Sequence, residues 1–381
     1  MAKAKPRKKK RSLAGRLVRV VMRLVKAVIF AVILAAAWSA GFIALKCYSG
    51  SPSKTAADAS IERDTNLPDG YRREEASTYL TLPEWYIVYN TDEYARALTT
   101  RPPSAFPYVG SITQYWRYYG SACAATKGVY PFSGGNHLML AVIGSSFSIE
   151  YALKGLYENT VGRFSEWISG YDTPEDAFAR TTAAEYGTFM HTVPWYEFPF
   201  AQKVKALWTT TPSSGPHLFR KWERRATLTM EYGVKAAYGW IIGGGSHATY
   251  GQEALTIRAR IQHAAPEVFA DGVVKKVKDF ANGAAIVAIP RYEAFTGRAL
   301  LMIQQGVRFV DIAGNDEILI TVLAPAGWNA PGSNTQVVLD ERVLTDVTMR
   351  RVALKVPVEL LHSIVPAIQA SGARVEHLYD Y

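Results

Sequence analysis

The chain has 381 residues, 49% apolar and 20% charged, with 43 Lys and Arg against 33 Asp and Glu and a formal net charge of +10. That composition excludes a disordered chain. The charge suggests nucleic acid, but residues 1–46 hold 12 basic and no acidic residues, so the other 335 carry 31 basic against 33 acidic. A body with net charge −2 makes no electrostatic case for nucleic acid.

From the N-terminus, seven basic residues lie between Lys3 and Arg11. Arg16, Arg19, Arg23 and Lys26 then alternate with Leu17, Val18, Val20, Val21, Leu24 and Val25, the pattern of a helix lying in a membrane interface. Residues 27–45, AVIFAVILAAAWSAGFIAL, are nineteen positions without a charge, and about 20 apolar residues span a hydrocarbon core. Trp38 and Tyr48 suit one interface. All the flanking basic residues precede the span, so residues 1–26 are expected in the cytoplasm and the body outside it, on the cell (inner) membrane. A cleavable signal is the competing reading, with Ala35-Ala36-Ala37 as its site. The apolar run continues for eight residues past that site and favours an uncleaved anchor. Lys46 stands where a small residue would precede a lipidated Cys47 and argues against lipidation.

Residues 46–78 are small and polar and read as a tether. Cys47 and Cys123 are the two cysteines; neither sits at a spacing that suggests a partner, so the sequence expects no bridge, although an oxidising compartment would permit one.

Residues 79–280 read as a mainly helical, aromatic-rich domain. Thr81 and Glu84 have the spacing of a capping box, and eleven aromatics occupy the 41 positions from Tyr79 to Tyr119. Trp85, Tyr89, Tyr115, Trp116, Tyr118 and, further on, Trp195 are the candidates for an aromatic binding wall; ordinary core packing is the competing reading. Leu138 to Tyr157 reads as a buried helix. Thr173-Pro174-Glu175-Asp176 starts another: cap, proline at the first position and acids in the first turn. After Pro216, Phe219, Trp222, Ala226, Met230, Val234, Ala237 and Ile241 form one helical stripe, with Glu231 and Lys235 on another face; Gly243-Gly244-Gly245 closes it.

Residues 281–381 change period. Ala284 to Pro290 reads as a strand, Arg291 to Gln305 as a helix closed by Gly306, and Val307 to Ile312 as a second strand. A further strand, Ile318 to Leu323, follows. Strand Val352 to Val356, a helix near Glu359 to Ala370 containing Pro366, Gly372, and strand Arg374 to Tyr379 then repeat the unit. Two βαβ units in one sheet resemble the ferredoxin-like arrangement, a likeness of architecture without a functional motif. The expected fold class is therefore α+β: one transmembrane helix, a helical region and a ferredoxin-like duplicated βαβ domain.

No metal-binding spacing links the seven histidines, and no cofactor or metal motif occurs. Gly244-Gly245-Ser246-His247-Ala248 follows a helix, whereas a nucleophile elbow follows a strand. The segment Glu185 to Phe200 gathers acids, aromatics and His191 between prolines, making His191 with Glu197 or Glu185 the candidate acid–base set. The expected function is a single-pass, membrane-anchored binding, accessory or scaffold protein. Its expected partners are the lipid bilayer and a membrane protein or lipid-like ligand. The alternative is a membrane-tethered enzyme centred on His191.

Overall fold

The computed structural model describes residues 13–50, 67–68, 71–73, 76–246, 255–280, 283–332 and 334–380. The basic run 1–12 and most of the tether lie outside the described residues. Helix α1, Leu13–Phe42, covers the expected interfacial stretch and most of the expected span, and a wider turn, Ile43–Cys47, ends it. Several of its side chains, Ala27, Val28 and Ala31 among them, are outside the described set. Among the described residues, no helix is long and apolar enough to cross a membrane.

The helical body follows as α2 (Ala76–Leu80), α3 (Leu82–Thr100), α4 (Tyr108–Thr126), α5 (Gly134–Tyr157), α6 (Arg163–Ser169), α7 (Pro174–Met190), α8 (Phe200–Thr210) and α9 (Leu218–Ser246). Helix α7 starts where its sequence directs: Thr173 accepts from the Asp176 N–H, and Asp176 accepts in return from the Thr173 N–H. The box expected at Thr81 does not form. Thr81 already has helical dihedrals behind α2, and its hydroxyl donates back to the carbonyls of Ser77 and Thr78. Helix α9 runs on through the three glycines expected to close it and reaches Ser246.

The C-terminal part is two four-stranded antiparallel sheets with strand orders β2-β3-β1-β4 and β6-β7-β5-β8. The first holds β1 (Thr256–Gln262), β2 (Lys275–Asp279), β3 (Ala285–Pro290) and β4 (Arg308–Ile312), with α10 (Glu293–Gln304) joining β3 to β4. The second holds β5 (Glu317–Pro325), β6 (Gln336–Val343), β7 (Asp346–Pro357) and β8 (Arg374–Leu378), with α11 (Leu361–Ala370) joining β7 to β8. The expected βαβ pairs are present, but the ferredoxin-like single sheet is corrected. Each pair is split by an earlier strand, β1 or β5, antiparallel to both its neighbours, so each repeat is a βββαβ unit with its own sheet. The sheet region accordingly begins at Thr256 and not at residue 281. The duplication extends to an irregularity: β1 bulges against β4 between Arg260 and Ile261, and β5 bulges against β8 at the matching place, between Thr321 and Val322.

Alternation sorts the second sheet into two faces. Ile318, Ile320 and Val322 join Val352, Leu354, Val356, α10, α11 and the inner face of the first sheet in one apolar core. Leu319, Ala353 and Tyr379 face the other way and join the aromatic core of α3 to α5. Tyr89 and Thr321 share a hydrogen bond of 2.7 Å across that junction, and Arg351 donates to Glu93 at 2.9 Å.

Candidate functional site

His191 caps the C-terminus of α7 and reaches two other elements. Its Nε2 donates to Asp92 Oδ2 on α3 at 2.8 Å, and its Nδ1 faces Glu293 Oε2 at the start of α10 at 3.5 Å. Glu293 is set there by a tight entry: Tyr292, before it, has φ of +63°, a conformation uncommon outside glycine. The same Glu293 oxygen lies 3.8 Å from His377 Nδ1 on β8, which shares a 2.9 Å hydrogen bond with Thr296 Oγ1. The His377 ring packs at a tilt on Trp85 with centroids 3.6 Å apart, and its Nε2 is buried without a hydrogen-bond partner among the described residues.

The electrostatics follow from those contacts. Hydrogen bonds to Asp92 and then Glu293 raise the His191 pKa to about 10, so its ring is an imidazolium at neutral pH. Burial acts to raise the Glu293 pKa, but its contacts with His191 and then His377 outweigh it and hold it at about 2. Burial lowers the pKa of His377, against the pull of Glu293. Glu84, one residue before Trp85, is raised to about 7 by burial, opposed by Arg291.

The acids expected beside His191 sit elsewhere. Glu185 pairs with Lys203, and Glu197 is exposed in the turn Trp195–Glu197. The structure brings Asp92, Glu293 and His377 to the histidine in their place. Asp92 and Glu293 lie 99 and 102 positions from His191 along the chain, and His377 comes from the last strand. No spacing in the sequence signals them.

The candidate aromatic wall is largely interior. Trp85, Tyr89, Tyr115 and Tyr118 are buried in the core of α3 to α5, and Trp116 packs against its edge. Tyr115 donates to the Leu140 carbonyl at 2.7 Å, and its ring lies so close to Gly144 that a Cβ there would collide with it. Trp195 is half-buried against Tyr238. The buried rings hold α3, α4 and α5 together.

Next to them lies a charged interior. Arg220, Lys221, Arg224 and Arg225 on α9 are all buried. Arg220 binds Asp176 at 2.6 Å, Arg224 binds Glu158 at 2.9 Å, and Arg225 binds Glu175 at 2.9 Å. Further along α9, Lys154 pairs with Glu231 and Lys235 with Glu150, each at 2.8 Å, stitching α5 to α9. Tyr94, Tyr151, Tyr186 and Tyr232 surround these last pairs and leave a narrow cavity of about 80 Å³. That space admits a few waters and not a drug-sized ligand.

Cys47 and Cys123 form a disulfide, correcting the expectation of two unbridged cysteines. Tertiary packing supplies what spacing did not: the turn after α1 lies against α4, where Phe42 packs on Trp116 and Tyr119. The buried His137 lies close to both sulfurs, and its Nδ1 shares a hydrogen bond with Tyr119 Oη at 2.9 Å. A Cys, Cys, His set binds a metal through thiolates, and here both sulfurs are taken up in their mutual bond.

No family model matches the chain, and no curated protein and no solved structure matches it.

Proposed function

We propose that this is a single-pass membrane protein whose body stands on the extracytoplasmic side and serves as a binding, accessory or scaffold component. The observation that carries the reading is the Cys47–Cys123 bridge. It ties the last turn of the apolar helix to α4 in the middle of the body. A buried structural disulfide belongs to an oxidising compartment, and that is the side to which the cationic N-terminal arm directs the body. A body bridged to the exit of its anchor is held at the membrane surface, where it meets lipids and other membrane proteins.

The His191 cluster supports binding and architecture over catalysis. A general base operates near its own pKa. An imidazolium held between Asp92 and Glu293 has no free lone pair at neutral pH, and its hydrogen bonds join the helical body to the sheet domain.

Alkaline extraction of membranes from cells making the full-length chain, followed by non-reducing electrophoresis, tests the proposal. The expected result is a protein retained in the membrane pellet with the disulfide formed. Release into the alkaline supernatant, or a protein reduced in freshly trapped cells, overturns it.

A further inference from the structure

The face that α9 shows to the outside is the wrong one for a water-soluble helix. Phe219, Trp222, Met230, Val234 and Ile241 lie on one stripe and all are exposed, with Val234 at 63%. The inward face carries the charged positions Arg220, Arg224, Arg225, Glu231 and Lys235, paired with acids of α5, α6, α7 and the turn after α5, alongside only two large apolar side chains, Leu228 and Tyr232. Helices of soluble domains do the reverse, burying the apolar stripe. Side chains are sorted this way, polar groups inward and apolar groups outward, where the surroundings are hydrocarbon.

The outward apolar face extends to neighbouring helices. Phe219 meets Phe164 of α6 edge-on at 6.1 Å, and Trp167, one turn further along α6, is 81% exposed. Across the Lys154–Glu231 and Lys235–Glu150 pairs, α5 exposes Leu138, Val142, Leu153 and Leu156. Helix α5 in turn packs against α1, where Ser39 and Ser145 share a hydrogen bond of 2.8 Å. The surface thus runs from α6 through α9 and α5 to the apolar helix proposed as the anchor.

We infer that the outer face of α5, α6 and α9 is immersed in the interfacial layer of the bilayer beside α1, with acyl chains as its occupant. This rests on the anchored reading above and extends it: the body is seated in the membrane surface as well as tethered to it. Two features select lipid over a protein partner. Among the exposed residues of the stripe on α9, hydrogen-bonding side chains are limited to the indoles of Trp222 and Trp240, whereas protein interfaces carry about one hydrogen bond per 100–200 Å². The face is also continuous with α1, and its most exposed residues include Trp167 and Trp240, a residue type that favours the membrane–water boundary.

The test uses full-length protein in vesicles of phosphatidylcholine and phosphatidylglycerol, with a single environment-sensitive fluorophore on an introduced cysteine. Met230→Cys and Val234→Cys probe the face, Ile33→Cys probes α1, and Val347→Cys, exposed at the start of β7, serves as the aqueous reference. Circular dichroism of each variant checks folding. The expected result is strong quenching by brominated acyl chains at 33, 230 and 234, weak quenching by iodide there, and the opposite pattern at 347. Quenching by brominated lipid at 33 but not at 230 or 234 overturns the inference and leaves the anchor intact. Protection of 230 and 234 from both quenchers also overturns it, since a protein surface would then cover the face. Absence of lipid quenching at 33 removes the anchored reading itself, and the inference with it.

Discussion

Arg224 and Glu158 form an ion pair of 2.9 Å in which each side chain is only 2% exposed. A buried pair is a weak source of net stability, yet removal of one partner strands the other charge and costs about 3–5 kcal/mol. Arg224→Ala is therefore expected to destabilise the helical body by that order in denaturant titrations. Replacing both partners with Met recovers most of the loss. A single variant within the error of the wild type would show that water already reaches this interior.

The histidine junction makes stability depend on pH in a defined direction. The folded-state pKa of His191 lies near 10 against an ordinary 6.5, so its contribution is complete below pH 6.5 and is lost as pH rises towards 10. Glu293 lies near 2 against 4.5, so its contribution is present above pH 4.5 and is lost as pH falls towards 2. Thermal melts should show a stability decline between pH 6.5 and 10 that His191→Gln flattens. An unchanged slope in that variant would mean that other groups produce the decline.

The disulfide closes a long loop, with a sequence separation of 76. In the chain-entropy account, such a cross-link stabilises by about 4 kcal/mol. Cys123→Ala should lower the melting temperature of the detergent-solubilised protein, and added reductant should lower that of the wild type equally. Equal melting of variant and wild type without reductant would show that the bridge adds nothing to stability.

Gly144 marks a close approach of α5 to α4, against the ring of Tyr115. Gly144→Ala overpacks this contact and is expected to cost about 1–3 kcal/mol. Pairing it with Tyr115→Leu should return part of the loss. A neutral Gly144→Ala would indicate that α5 shifts freely on α4.

The parts of the fold legible in the sequence are those that local chemistry dictates. The start of α7 follows from Thr173, Pro174 and Asp176, and the two βαβ pairs follow from apolar runs closed by Gly306 and Gly372. Strand β2, with the sequence KKVKD, has almost no apolar signal because it is an exposed edge, and lysines are what protects an edge from pairing. Without it, and without β1, the division into two sheets is hidden. The periodicity of α9 is visible, but periodicity defines a stripe and not the side on which the core lies. The acid–base cluster is the least legible part. Local composition singles out His191, while Asp92, Glu293 and His377 meet around it only through the packing of α3 and the sheet domain on α7.

A body on the extracytoplasmic side is open to a membrane-impermeant maleimide, and labelling decides its orientation. In full-length protein carrying Val347→Cys, position 347 lies exposed at the start of β7. Intact, right-side-out membrane vesicles should label at 347 without permeabilisation. Labelling only after the membrane is opened would place the body in the cytoplasm and contradict the account.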